Sequence, residues 1–258
     1  VNSTEGKELL DFAVQLAQEA GELTSRYFKQ SIAAERKADR SFVTIADREA
    51  EQMIRARIEA AFPDDGILGE EEGEKESRSG RRWIIDPIDG TFSFVHGVPL
   101  YAVLLALEID SEPVIGVVNL PELTELVFAA RGLGCFLNGK PAKVSSRDSL
   151  DESLLLCTDF GTCAAHGFGV ASERLQQRVE ARRTWGDAYG HILVATGRAE
   201  IMLDPIMNVW DCAPLLPILE EAGGTFTDWH GAKTIRGNNA ISTNGMLFEE
   251  VMAIIQSC

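Results

Sequence analysis

The run Trp83-Ile84-Ile85-Asp86-Pro87-Ile88-Asp89-Gly90-Thr91 carries an apolar segment straight into two carboxylates three residues apart. Pro87 removes a backbone donor and stiffens the chain, and Gly90 opens a backbone angle that most residues avoid. A strand end that turns sharply and throws two carboxylates the same way suits a hard divalent cation. Such a cation takes oxygen ligands, backbone carbonyls like that of Ile88 included. Asp-Pro and Asp-Gly are also ordinary turn pairs, but the combined run after an apolar strand points to cation binding. Upstream lies Gly69-Glu70-Glu71-Glu72, and downstream Trp210-Asp211 at a predicted helix start. Alone, the first reads as a solvated face and the second as a helix N-cap. Together the three places supply enough carboxylate for two or three metal ions, and like charges so close repel unless cations lie between them.

Elements must deliver these groups to one place. Leu9, Ala13, Leu16, Ala20, Leu23 and Tyr27 recur every three or four residues, the period of an amphipathic helix. A second helix is predicted over about 46–61, with Ala50, Met53, Ile54 and Ile58 on one face. Thr44, three residues before Asp47, makes a variant capping box at its start. Phe62-Pro63-Asp64-Asp65-Gly66 is a stop-and-turn signal, and 70–82 reads as a charged loop. Residues 83–85, 101–107, 114–119 and 126–130 read as short strands, followed by a hairpin turn at Asn138-Gly139. The chain turns polar over 144–151. A boundary there separates 1–147, an N-terminal α+β unit with most of the metal site, from 148–258, an α/β unit with Asp211 and the substrate-reading residues. In the second half, strands at 154–157, 201–203, 225–227 and 241–243 alternate with helices at 171–180, 187–196, 211–222 and 248–255. This alternation predicts a mixed α/β fold with helices packed on sheets.

The chain has 258 residues, with 40 Asp+Glu against 24 Lys+Arg, a formal net charge of −16. With 45% apolar and 25% charged residues it has ordinary globular composition and length enough for a large core. Such acidity speaks against nucleic acid as a partner and against an anionic membrane surface; metal ions and cationic ligands remain. No apolar run reaches the roughly 18 residues that span a bilayer, and the polar start does not read as a signal peptide. Cys135, Cys157, Cys163, Cys212 and Cys258 are scattered, with no C-x-x-C pair. They read as reduced thiols of a cytoplasmic protein rather than a zinc site. No P-loop lysine motif is present, which argues against an NTPase.

The chain resembles the inositol monophosphatase family of metal-dependent, lithium-sensitive phosphomonoesterases. The matching stretches are Lys37-Ala38-Asp39-Arg40-Ser41-Phe42-Val43-Thr44-Ile45-Ala46-Asp47, Gly69-Glu70-Glu71, Asp86-Pro87-Ile88-Asp89-Gly90-Thr91, and Trp210-Asp211 with Glu221-Ala222-Gly223-Gly224. The resemblance implies a layered α/β/α/β/α sandwich, a homodimer, and a small phosphate ester as substrate. It implies Glu70, Asp86, the Ile88 carbonyl, Asp89 and Asp211 as ligands of two or three Mg²⁺, with Mn²⁺ as a substitute. Asp47 and Thr91, with Glu70 close by, are then the groups that orient and help deprotonate the attacking water. Backbone donors of Gly90 and Thr91 would hold the phosphate. Metals that neutralise phosphate and activate water allow direct displacement without a covalent intermediate.

The pattern Arg183-Thr184-Trp185-Gly186-Asp187-Ala188-Tyr189 with Leu203-Asp204-Pro205-Ile206-Met207-Asn208-Val209-Trp210-Asp211 is similar to the histidinol-phosphate phosphatase branch, which implies a place in histidine biosynthesis. Ala188 departs from it, since that branch often has Cys there. Asp187 and Asp204 add two carboxylates on the alcohol side of the scissile bond, and Arg183 is a third candidate substrate contact. A cationic amino alcohol benefits from such counter-charge, whereas a polyol does not. Each Asp also has a plainer reading, as a helix N-cap and a turn residue respectively. The alternative substrate is inositol 1-phosphate or a broader range of sugar phosphates. A catalytically dead metal-binding protein on the same fold is a further alternative, and the presence of Asp47, Thr91 and every metal carboxylate speaks against it. His96, His166, His191 and His230 are scattered, and of these only His166 is expected near the substrate mouth. Trp185, Tyr189 and Trp210 are expected in the core.

Overall fold

Residues 3–37 and 41–257 are described by the computed structural model. The first half begins with α1 (Ser3–Tyr27), a short hairpin of β1 (Ala34–Arg36) and β2 (Phe42–Thr44), and α2 (Ile45–Ala61). It continues through β3 (Gly66–Gly69), β4 (Gly73–Lys75), β5 (Arg81–Asp89), α3 (Thr91–Val95), β6 (Ala102–Ile109), β7 (Glu112–Leu120), β8 (Glu125–Ala130), β9 (Gly134–Leu137) and β10 (Lys140–Pro141). The second half runs β11 (Leu154–Cys157), α4 (Phe160–Ala165), α5 (Gly169–Gln176), β12 (Ala181–Arg183), α6 (Asp187–Ala195), β13 (Ile201–Asp204), α7 (Val209–Glu221), β14 (Thr225–Thr227), β15 (Ala240–Thr243) and α8 (Phe248–Gln256). β3 to β10 form an eight-stranded sheet in the order β10-β9-β8-β7-β6-β5-β3-β4. The later strands form a five-stranded sheet in the order β12-β11-β13-β15-β14.

Side chains alternate across a strand, and the alternation here builds five layers. Trp83, Ile85, Val103, Leu105 and Leu107 face α1 and α2, where Leu16, Ile54 and Ile58 meet them. Their neighbours Ile84, Leu104, Ala106 and Val118 face the other way, onto Ile192 and Leu193 of α6 and Leu215 and Leu216 of α7. The same two helices cover Leu156 and Met202 of the second sheet. Its opposite face, with Leu155, Cys157, Ile201 and Leu203, packs on α4, α5 and α8. The α/β/α/β/α sandwich is therefore observed. Only glycine at 116 allows α7 so close to β7, because a Cβ there would stand 2.0 Å from the Pro214 carbonyl oxygen.

Several boundaries differ from expectation. The charged stretch 70–82 is not all loop: β4 folds back antiparallel on β3, with Gly69 opposite Gly73. Strand β3 escapes a pattern search because two of its four residues, Gly66 and Gly69, are glycines. The helix expected over 171–180 ends at Gln176, and a short helix not expected from the sequence, α4, precedes it, capped by Asp159. Tyr189 and Trp210 pack against the central core as expected, but Trp185 is 42% exposed, on the stretch between β12 and α6. Cys135, Cys157, Cys163 and Cys212 are free and buried; Cys258 lies outside the described residues. No helix among the described residues is long and apolar enough to cross a membrane.

Candidate active site

A regular strand would send Asp86 and Asp89 to opposite faces. β5 avoids this with a bulge: Asp86 pairs with Leu104 and Asp89 with Ala102, so three steps on β5 match two on β6. The inserted residue lies where Pro87 cannot donate to the ladder. Both carboxylates thereby face the layer of α6 and α7. Asp211 arrives there from the first turn of α7, and one oxygen each of Asp86, Asp89 and Asp211 lie within 4.8 Å of one another. Asp211 is not the helix cap. Asn208 is, and Asp211 stands at the third position, accepting from the Asn208 backbone N–H at 2.6 Å. Asp47 repeats the device on α2: its Oδ2 accepts from the Thr44 N–H at 2.8 Å and the Thr44 hydroxyl at 2.6 Å. In each case one oxygen caps the helix, and the carboxylate is turned toward the site, where Asp47 Oδ1 faces the Thr91 hydroxyl and Asp211 meets Asp86.

Glu70 follows β3, its N–H held by the Ile85 carbonyl at 3.2 Å. Its carboxylate and that of Glu71 both accept from Lys37 Nζ, at 2.7 and 2.6 Å. Burial opposes the Lys37 charge, but these two hydrogen bonds raise its affinity for a proton overall. Residues 38–40 of the matching stretch lie outside the described residues. The loop is anchored from below by Glu51, a residue that sequence reasoning passed over. This fully buried carboxylate accepts from the Glu71 and Glu72 backbone N–H groups at 2.8 and 3.0 Å and from Arg55 Nε at 2.7 Å. Its spacing of one helical turn from Asp47 was the available signal. Gly69 is required by the same contact, since a Cβ there would fall 2.0 Å from Glu51 Oε1.

Gly90 has φ 75°, in the left-handed region, and starts α3. The Thr91 hydroxyl donates to the Ile88 carbonyl at 2.9 Å and stands 3.5 Å from Asp47 Oδ1. A cavity of about 240 Å³ is lined by Glu70, Asp86, Ile88, Asp89, Gly90 and Thr91 together with Asp187 and Asp211. Asp89, Asp187 and Asp211 also line a second cavity, of about 220 Å³, together with Thr158, Asp159, Asp204, Ile206 and Met207. The two spaces adjoin through those three carboxylates. Asp187 is the first residue of α6, not its cap; Gly186 holds that position. Asp187 takes a φ of 52°, and its Oδ2 would be 3.0 Å from a Cβ built on Gly90. Arg183 is not brought into either cavity: it is exposed on the edge strand β12, donating to the Arg182 carbonyl. His166 caps the C-terminus of α4, exposed and outside the cavity lining.

Crowding shows in the ionisation of these groups. Burial first, then the charges of Glu70, Asp89 and Asp211, push Asp86 well above the usual carboxylate range. Burial and the charges of Asp187 and Asp211 do the same to Asp89. Burial raises Asp211 to about 7 against the pull of the Asn208 N–H. It raises Asp47 to about 6 against the hydrogen bonds from Thr44, and Asp187 to about 6. Five carboxylates so placed hold protons or cations, and an all-oxygen donor set favours a hard divalent ion. The residues therefore fit a metal.

The inositol monophosphatase family profile matches residues 5–258. The chain belongs to the inositol monophosphatase family. A histidinol-phosphatase of Chlorobaculum parvum is 46% identical over 248 residues, covering 95% of this chain and 96% of its own. A histidinol-phosphatase of Mycobacterium tuberculosis is 39% identical, over 94% of this chain and 96% of its own. Among solved structures, an IMPase of Thermotoga maritima superposes with a TM-score of 0.88 at 34% identity, covering 97% of both chains. As a member of this metal-dependent phosphatase family, the chain is a phosphoric monoester hydrolase acting on small phosphate esters.

Proposed function

We propose that the enzyme hydrolyses histidinol phosphate to histidinol and phosphate, as a step of histidine biosynthesis in the cytoplasm. One observation carries the reading. The 220 Å³ cavity beyond the metal carboxylates is lined by Asp89, Asp159, Asp187, Asp204 and Asp211, with no Lys, Arg or His among its described lining residues. A neutral polyol has no use for that charge, whereas an amino alcohol bearing an ammonium and an imidazole does. The two histidinol-phosphatase relatives support the same reading.

Two or three Mg²⁺, or Mn²⁺ in their place, held by Glu70, Asp86, Asp89, Asp211 and the Ile88 carbonyl, would neutralise the phosphate and activate water. Asp47 receives the water's proton at Oδ1, the oxygen that Thr44 does not occupy. A carboxylate raised to about 6 is suited to this work near neutral pH. The Thr91 hydroxyl, fixed by Ile88, orients the water beside it. Backbone N–H groups of Gly90 and Thr91 bind the phosphate oxygens. Asp187 and Asp204 hold the cationic alcohol so that the ester oxygen faces the metal carboxylates. Dimerisation, implied by the family resemblance, is checked by sedimentation.

The test is phosphate release from histidinol phosphate and inositol 1-phosphate, side by side, with Mg²⁺ and with chelator. A preference for histidinol phosphate of about a hundredfold, the value of one or two charge-assisted contacts, is expected, with nothing in chelator. Asp187→Asn is expected to reduce histidinol phosphate turnover far more than inositol phosphate turnover. No preference in the wild type would favour the broader inositol phosphatase reading, which the likeness to the Thermotoga maritima IMPase supports.

A further inference from the structure

β11 and β13 run parallel, with Leu156 beside Met202 and Cys157 beside Leu203. One step further along this register, Thr158 lies beside Asp204 at the C-terminal ends of the strands, the usual place for ligands in α/β sheets. Its hydroxyl bonds to Asp204 Oδ2 at 2.7 Å and to the Asp187 backbone nitrogen at 2.9 Å. The direction of both bonds follows from chemistry. The Asp187 N–H can only donate, so Thr158 Oγ1 accepts there and spends its single proton on the Asp204 carboxylate.

The turn on which Asp187 sits has little freedom besides. Gly186 approaches Thr158 so closely that a Cβ on it would meet the Thr158 Cα at 2.3 Å. Asp187 itself is held at a φ of 52°, a strained conformation for a residue with a side chain, maintained only where its surroundings over-determine it. On its far side, the Ala188 N–H donates to Asp89 Oδ2 at 2.8 Å. The turn is thus clamped between a metal carboxylate and one threonine hydroxyl. That hydroxyl also fixes the rotation of the second carboxylate of the alcohol cavity.

We propose that Thr158 is the positioning residue that sets the spacing of Asp187 and Asp204 and so decides which alcohol the enzyme accepts, an inference that rests on the histidinol phosphate reading. Serine preserves both bonds. Valine keeps the shape of threonine and loses both at once, leaving the buried Asp204 without this donor and the Asp187 turn without its acceptor.

The experiment compares wild type, Thr158→Val, Thr158→Ala and Thr158→Ser on histidinol phosphate and on an aryl phosphate whose leaving group carries no cationic group. Thermal midpoints with and without Mg²⁺ are read alongside, and alanine serves should valine fail to fold. Loss of both bonds is expected to raise KM for histidinol phosphate about tenfold to a hundredfold. Aryl phosphate kcat/KM should fall much less, the Mg²⁺-induced rise in midpoint should persist, and serine should restore the wild-type KM. Equal losses on the two substrates, an unchanged KM, or failure of serine to restore it would overturn the role of Thr158. A wild type without preference for histidinol phosphate would instead overturn the reading beneath it, and that result is read before any variant is made.

Discussion

Asp89 is the residue on which the two cavities turn. It is one of the three clustered carboxylates, it lines both cavities, and its Oδ2 accepts from the Ala188 N–H. Asp89→Asn keeps the size of the side chain and removes the charge. Turnover of every phosphate ester is expected to fall by about three orders of magnitude or more, the scale of several kcal/mol of lost charge stabilisation. The fall should be accompanied by loss of the Mg²⁺-induced shift in thermal midpoint. Substantial activity retained on any substrate would refute the metal-site assignment. The residue types were legible because a chain rarely places Asp-Pro-x-Asp-Gly-Thr directly after an apolar strand. The second duty of Asp89, holding α6, was not legible, since its partner lies 99 residues away.

At the scale of elements, α2 does two jobs from one face. Asp47 in its first turn serves the site, and Glu51, one turn on, ties down the loop that carries Glu70. Glu51→Gln replaces an acceptor pair with one acceptor and one donor, set against two N–H groups and a guanidinium. The expected cost is about 1–3 kcal/mol, or a thermal midpoint lower by roughly 3–10 °C for a chain of this size. The Mg²⁺ concentration giving half-maximal activity should rise at least tenfold, as for other groups that orient metal ligands. A lowered midpoint with an unchanged Mg²⁺ requirement would make Glu51 a packing residue and no more. A glutamate on a helix reads as solvated from sequence, and only the antiparallel return of β4 on β3 buries this one. The β5 bulge is similar. Pro87 announced an interruption, but that the ladder would slip by one residue, bringing Asp86 and Asp89 onto one face, depended on pairing with β6.

For the whole molecule, the concentration of buried acid sets a pH dependence. Asp47 and Asp187 at about 6 and Asp211 at about 7 lie above the ordinary aspartate value of about 3.9. Asp86, Asp89 and Asp204 are raised as well. Between about pH 4 and 7 the folded chain therefore binds more protons than the unfolded one, and stability falls as pH rises. His191, driven down to about 3 by burial, works the other way up to about pH 6.5, as one imidazole against six carboxylates. The thermal midpoint in chelator is expected to drop by several degrees across this window. Saturating Mg²⁺ should flatten or reverse the trend, because the cation stabilises the deprotonated carboxylates. Parallel curves with and without Mg²⁺ would show that the ion does not bind at these groups.

Much of the architecture is local. The apolar periods of α1, α2 and the central strands, the capping residue Thr44 and the Asp-Pro-Ile-Asp-Gly-Thr run all act within a few residues, so sequence alone determined the class of fold, the class of reaction and the carboxylates Asp86, Asp89 and Asp211 that the fold brings together. The remainder depended on contacts between distant segments. The adjoining of the two cavities, the exposure of Trp185, the withdrawal of Arg183 to an edge strand, the burial of Glu51 and the bridge made by Thr158 follow from how five layers stack. In that packing a single hydroxyl can face two carboxylate-bearing segments that are 29 and 46 residues away along the chain.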